Sequence, residues 1–149
     1  MLVETSQVMS DPLQQLLDIE AIKQLKARYF RCMDTKDWSG FRDVFTDDAV
    51  LEAEGRVREG GENIAGFISK LLADVVTVHH GHMPEITLTG PDTATGVWAM
   101  FDYVEFPDHP EASFRGYGHY AEEYVRGDGG WRIRHLTLTR LRVDPLGGG

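Results

Sequence analysis

At 149 residues, 42% hydrophobic and 26% charged, the chain has the size and composition of one compact globular domain over 1–149. Its formal charge of −9, with no basic stripe interleaved with aromatics, opposes a phosphate backbone and argues against nucleic acid as a partner. No apolar run approaches the roughly 20 residues that span a bilayer, and the opening MLVETSQVMSDPLQQ lacks the basic region and apolar core of an export signal, so a soluble, cytoplasmic protein without membrane contact is expected.

From Asp11-Pro12 onward, Leu13, Leu16, Leu17, Ile19, Ile22, Leu25, Tyr29, Cys32 and Met33 recur at spacings of three and four, which predicts a long amphipathic helix with one buried stripe. Cys32, the single cysteine, has no thiol neighbour for a disulfide or zinc motif and is expected to pack in that helix. Asp37 opens a second, short helix in DWSGFRDVF, and TDDAVLEAEGRVREGG reads as a small hairpin turning at glycine. A third helix runs from Glu62 to about Leu72 with Ile64, Phe67, Ile68, Leu71 and Leu72 on one side. Four β-rich segments follow, VVTVHHGHMPEITLTG, TATGVWAMFDYVEF, SFRGYGHYAEEYVR and WRIRHLTLTRLRV, separated by Gly/Pro/Asp turn signals. Helices first and long antiparallel strands after define an α+β fold. Three helices laid on a strongly bent, mainly antiparallel sheet make a cone, and Gly81, Gly96, Gly116 and Gly118 suit the bending. Residues 1–10 and 147–149 read as loose tails.

Several polar residues fall where chemistry could use them. Asp34 ends the first helix, where the helix dipole opposes an acid; it is either a solvated helix-ending residue or a carboxylate aimed into the cone to hold a histidine. In VHHGHMPEI, strand alternation puts His80 and His82 on one face and His79 on the other with Gly81 and Met83, and leaves open which face turns inward. The pair His80-x-His82 has a spacing used by metal ligands, but no further ligands can be identified, so no metal is expected. Trp98, Met100 and Asp102 share a face, which, turned inward, would bury a carboxylate that needs a partner. Tyr120 and Glu122 share a face of the next strand, and Arg140 lies among Leu136 and Leu138 on the last, an arrangement that asks for an anion.

The order of elements, with CMDTKDW after the first helix, VHHGHMPEI on the first long strand and GHYAEEYVRGDGGWRI near the end, resembles the SnoaL-like branch of the NTF2-like superfamily over nearly the whole chain. The resemblance implies a cone-shaped α+β barrel and a cofactor-free lyase like scytalone dehydratase, bile acid dehydratase and hexachlorocyclohexane dehydrochlorinase. By the same resemblance the pocket histidine is His79 and its aspartate is Asp34. Tyr29 and Asp102 match a tyrosine and an acid of the bile acid dehydratase, and Arg140, with Arg142 as the alternative, matches its last-strand arginine. VLEAEG carries no counterpart to the scytalone dehydratase tyrosine, a departure from that enzyme's pattern.

On this reading His79 is the base, Asp34 fixes its tautomer, Tyr29 donates a hydrogen bond and Asp102 serves as an acid. Trp98, Met100, Tyr120 and Arg140 contact an apolar ring-containing substrate of steroid, polyketide or aromatic kind. The alternatives are an isomerase using the same base, or a non-catalytic ligand-binding or oligomerisation module of the same fold. A homo-oligomer, a trimer or a dimer, is expected from apolar residues left on both sheet faces.

Overall fold

A computed structural model of the chain describes residues 11–147; the expected tails lie, but for Gly147, outside the described residues. Helix α1 covers Pro12–Asp34, α2 Trp38–Asp43 and α3 Gly61–Leu72. The strands are β1 Phe45–Ala53, β2 Arg56–Glu59, β3 Val76–Leu88, β4 Thr93–Glu105, β5 Phe114–Gly127 and β6 Gly130–Pro145. Asp11 caps α1 by accepting from the Gln14 amide, with Pro12 at the first helical position, and Asp37 caps α2 by accepting from the Gly40 amide.

The six strands form one strongly curled sheet in the order β2-β1-β6-β5-β4-β3. All neighbours are antiparallel except β1 and β6, which run parallel, so the sheet is mixed. Register shifts at Tyr117/Gly118 and Glu123/Tyr124 bend β5 against β6, as bulges do. This is the expected α+β cone. The concave face takes alternate residues of each long strand, for example Trp98, Met100, Asp102 and Val104 of β4. Against it pack Ile22, Leu25, Tyr29, Phe30 and Met33 of α1 and Ile64 and Leu72 of α3.

Two local expectations are corrected. Leu13, Leu16 and Leu17 are exposed. Carrying the buried positions Leu25, Ile22 and Asp18 back towards the helix start leads to Gln14, and Gln14 bonds Asp18, so the inward side of the first turns is polar. Buried Asp18 in turn accepts from Arg126 and Trp131. Met83 does not share the inward face of His79, because the β3/β4 register shifts between His82 and Glu85 and leaves Met83 92% exposed.

Candidate active site

Asp34, at the end of α1, meets β3 side on. Its Oδ2 accepts from the backbone amide of His79 at 2.8 Å, and its Oδ1 accepts from the Thr77 hydroxyl at 2.9 Å. The same Oδ1 lies 2.7 Å from His79 Nδ1. A carboxylate oxygen accepts, so Nδ1 carries the ring proton and the lone pair of Nε2 is directed away from Asp34. Phe30 stacks on the imidazole at 16° between planes with 6.2 Å between centroids, which limits rocking of the ring. His79 is therefore the inward histidine of the three. His80 and His82 are exposed on the opposite face, where they contact each other edge-on, and His80 contacts Phe101. Among the described residues no three His, Cys, Asp or Glu side chains are grouped to hold a metal ion.

Beyond His79 lies Asp102, buried on β4, with Oδ2 3.9 Å from His79 Nε2. Both oxygens of Asp102 accept from Arg140 Nη1 and Nη2 at 2.9 Å, a bidentate pair. Arg140 Nε reaches Glu54 at 3.1 Å, whereas Arg142 is turned outward to Asp144; Arg140 is thus the arginine that reaches the site. Gly116 makes room for the pair, because a Cβ there would collide with Arg140 Nη1 and Asp102 Oδ1.

These groups line a cavity of about 260 Å³ at the open end of the cone. Tyr29, Thr77, His79, Asp102, Tyr120 and Arg140 contribute its polar surface, with Leu51, Phe67, Val104, Leu136 and Leu138 among its apolar walls. Burial, then the nearby Glu122 carboxylate, hold the Tyr29 hydroxyl well above the usual tyrosine range. Tyr120 is raised in the same way, by burial first and then by Tyr29. Both phenols stay protonated and can donate.

Trp98 and Met100 do share the inward face, but they do not line the cavity. They sit further along β4 from its mouth, in the closed part of the cone: Trp98 Nε1 donates to the Tyr124 hydroxyl at 2.9 Å, and the Trp98 ring packs over Gly81. Of the four residues expected to contact substrate, Tyr120 and Arg140 reach the cavity.

Behind the tyrosines lies a group absent from the sequence reading. Lys26, fully buried on α1, places its Nζ 2.9 Å from Glu122 Oε2, 3.6 Å from the Tyr29 ring centroid and 3.7 Å from that of Tyr120. Glu122 Oε1 also accepts from the Tyr124 hydroxyl at 2.8 Å, so Trp98, Tyr124, Glu122 and Lys26 form one buried chain of hydrogen bonds. Burial lowers the Lys26 pKa to about 8 against the opposing pull of Glu122. The available signal was position: Lys26 falls four residues after Ile22 and three before Tyr29, on the buried stripe itself.

The curled α+β cone, with its histidine backed by an aspartate, has the NTF2-like fold. A family model for the SnoaL-like domain matches residues 14–137, and the chain belongs to that family. Among solved structures it is similar to a hexachlorocyclohexane dehydrochlorinase, LinA type 2, at 22% identity and a TM-score of 0.84, covering 93% of this chain and 95% of that one. A provisionally assigned scytalone dehydratase from Novosphingobium aromaticivorans superposes with a TM-score of 0.82 at 16% identity, over 93% and 99% of the two chains. A Mycobacterium tuberculosis protein of unknown function matches at 27% identity and a TM-score of 0.77, over 89% and 77%. The first two are likenesses of fold. No described helix is long and apolar enough to cross a membrane.

Proposed function

We propose that the protein is a cofactor-independent lyase, dehydratase-like, that acts on an apolar ring-containing small molecule. The observation that carries this reading is the hydrogen bond of 2.7 Å between Asp34 and His79 at the wall of an apolar cavity. His79 Nε2 takes a proton from carbon next to a carbonyl, the electron pair forms the new double bond, and the β-hydroxyl leaves with a proton returned by the imidazolium. Asp34 holds the tautomer and favours the imidazolium, while Tyr29 donates to the carbonyl or to the departing oxygen. Asp102 takes a different role from the acid first expected. With both oxygens engaged by Arg140, it is a fixed acceptor whose Oδ2 lies 3.9 Å from Nε2. Tyr120 and the apolar walls hold the ring body.

The relatives named as a dehydrochlorinase and a scytalone dehydratase support an elimination. An isomerase would use the same base, and product analysis separates the two. Assembly belongs to the same proposal: the sheet's outer face, where the Phe101 and Tyr117 rings meet at a tilt of 56°, serves as a contact between copies. Light scattering that gives a 16.8 kDa monomer at micromolar concentration would count against that part.

The test is product analysis by mass spectrometry after incubation with steroid, polyketide and phenolic β-hydroxy ketones. The His79→Ala variant should stay folded and lose roughly 10² to 10⁴ in rate on whichever compound is turned over. Unchanged turnover would remove His79 from the mechanism.

A further inference from the structure

The mouth of the cavity is formed by the β1/β2 hairpin, and its charges differ from the walls below. Arg56 and Arg58 both line the cavity, two residues apart on one face of β2, so their backbone positions are about 7 Å apart. The partly buried Arg58 has its guanidinium held 3.2 Å over the Phe67 ring, and Phe67 is itself a cavity wall. Neither arginine has a carboxylate partner among the described residues, although the chain carries an excess of acids. The other cation of the rim, Arg140, is already neutralised by Asp102 and Glu54, and the same contact occupies the Glu54 carboxylate. The rim therefore carries two unneutralised guanidinium groups above an apolar wall.

We propose that the substrate is an amphiphile: an apolar ring body seated in the cavity and a terminal oxyanion, a carboxylate, sulfonate or phosphate, held at the mouth by Arg56 and Arg58. This rests on the reading that the cavity accepts ring-containing molecules. Guanidinium forks match the geometry of such oxyanions, and Phe67 stacking leaves the edge donors of Arg58 free to bind. The aromatic support also reduces the side-chain entropy that a free arginine loses on binding. The anionic tail would set which end of the ring body enters first, so that the reacting carbon reaches His79.

The probes are anilinonaphthalene sulfonate and its uncharged parent, phenylnaphthylamine, titrated by fluorescence against the full chain. The wild type should bind the sulfonate about 10-fold more tightly than the neutral probe, about threefold from each guanidinium. The double variant Arg56→Gln/Arg58→Gln should erase that preference and leave the affinity for phenylnaphthylamine unchanged, which also shows that the variant is folded. Leu138→Trp, which fills the cavity, should weaken both probes. A sulfonate preference that is missing in the wild type, or that survives the double substitution, overturns the proposal alone. Binding of both probes that Leu138→Trp leaves unchanged places them outside the cavity and overturns the ring-binding reading together with it.

Discussion

Replacing Lys26 by methionine tests whether the buried charge pair behind the tyrosines holds the site's floor in place. At 2.9 Å and an effective dielectric constant of about 20, the attraction between Lys26 and Glu122 amounts to about 6 kcal/mol. Desolvation costs several kcal/mol for each ion, so the pair as a whole is near neutral against an apolar pair of the same shape. Losing one partner is a different matter. Lys26→Met leaves the Glu122 carboxylate buried with the Tyr124 hydroxyl as its remaining bonded donor, and should cost about 3 to 5 kcal/mol. In Lys26→Met/Glu122→Gln the charge is gone while the amide oxygen still accepts from Tyr124, and at least half of that loss should return. Urea unfolding of the wild type, both single variants and the double variant provides the cycle, with midpoints compared at equal slopes. A Lys26→Met cost under about 1 kcal/mol, or a double variant no more stable than Lys26→Met, would refute this account of the pair.

The same lysine predicts a pH effect. Its folded pKa, about 8, lies below the ordinary lysine value of 10.5, so between those values the unfolded chain holds the extra proton and stability rises with pH. Cys32, raised by burial, opposes the rise from about pH 9, and the raised Tyr29, Tyr120 and Tyr124 reverse it above about pH 10. Wild type should therefore gain roughly 1 kcal/mol relative to Lys26→Met between pH 8 and 9, read from urea midpoints; parallel pH profiles would contradict it. Asp34→Asn should replace a single Nδ1-protonated form of His79 by a tautomer mixture in ¹⁵N NMR and slow turnover about 10²-fold; an unchanged spectrum would show that Asp34 does not set the tautomer. Gly116→Ala should force Arg140 and Asp102 apart, lowering stability by about 1 to 3 kcal/mol and activity with it, and a wild-type melting temperature would show that the pair tolerates the methyl group.

What could be read from the chain followed local rules. Asp11-Pro12 and Asp37 are helix starts because a short acidic side chain accepts from the first free amides, and the hairpin and four long strands are bounded by turn residues. Alternation correctly grouped Trp98, Met100 and Asp102, but a shared face does not say how deep each residue lies, and only Asp102 of the three reaches the cavity. Alternation was equally silent on His79 against His80; the family resemblance selected His79, and Asp34 meets it because α1 ends beside β3. Lys26 went unread because a charged residue on an amphipathic helix is assigned to solvent by default, and its partner Glu122 is far away in sequence. The leucines of the first turns misled for the converse reason: apolar spacing continued there, while the inward positions were polar.

If His79, held by Asp34, is a base facing an apolar cavity, proton exchange reads it without any elimination having to follow. Steroid, polyketide and phenolic ring ketones are incubated with the protein in D₂O, and deuterium next to the carbonyl is followed by mass spectrometry. The wild type should exchange, and His79→Gln should exchange more slowly by roughly 10² to 10⁴. Equal exchange by the two proteins, or none by the wild type across all three ring classes, would contradict it.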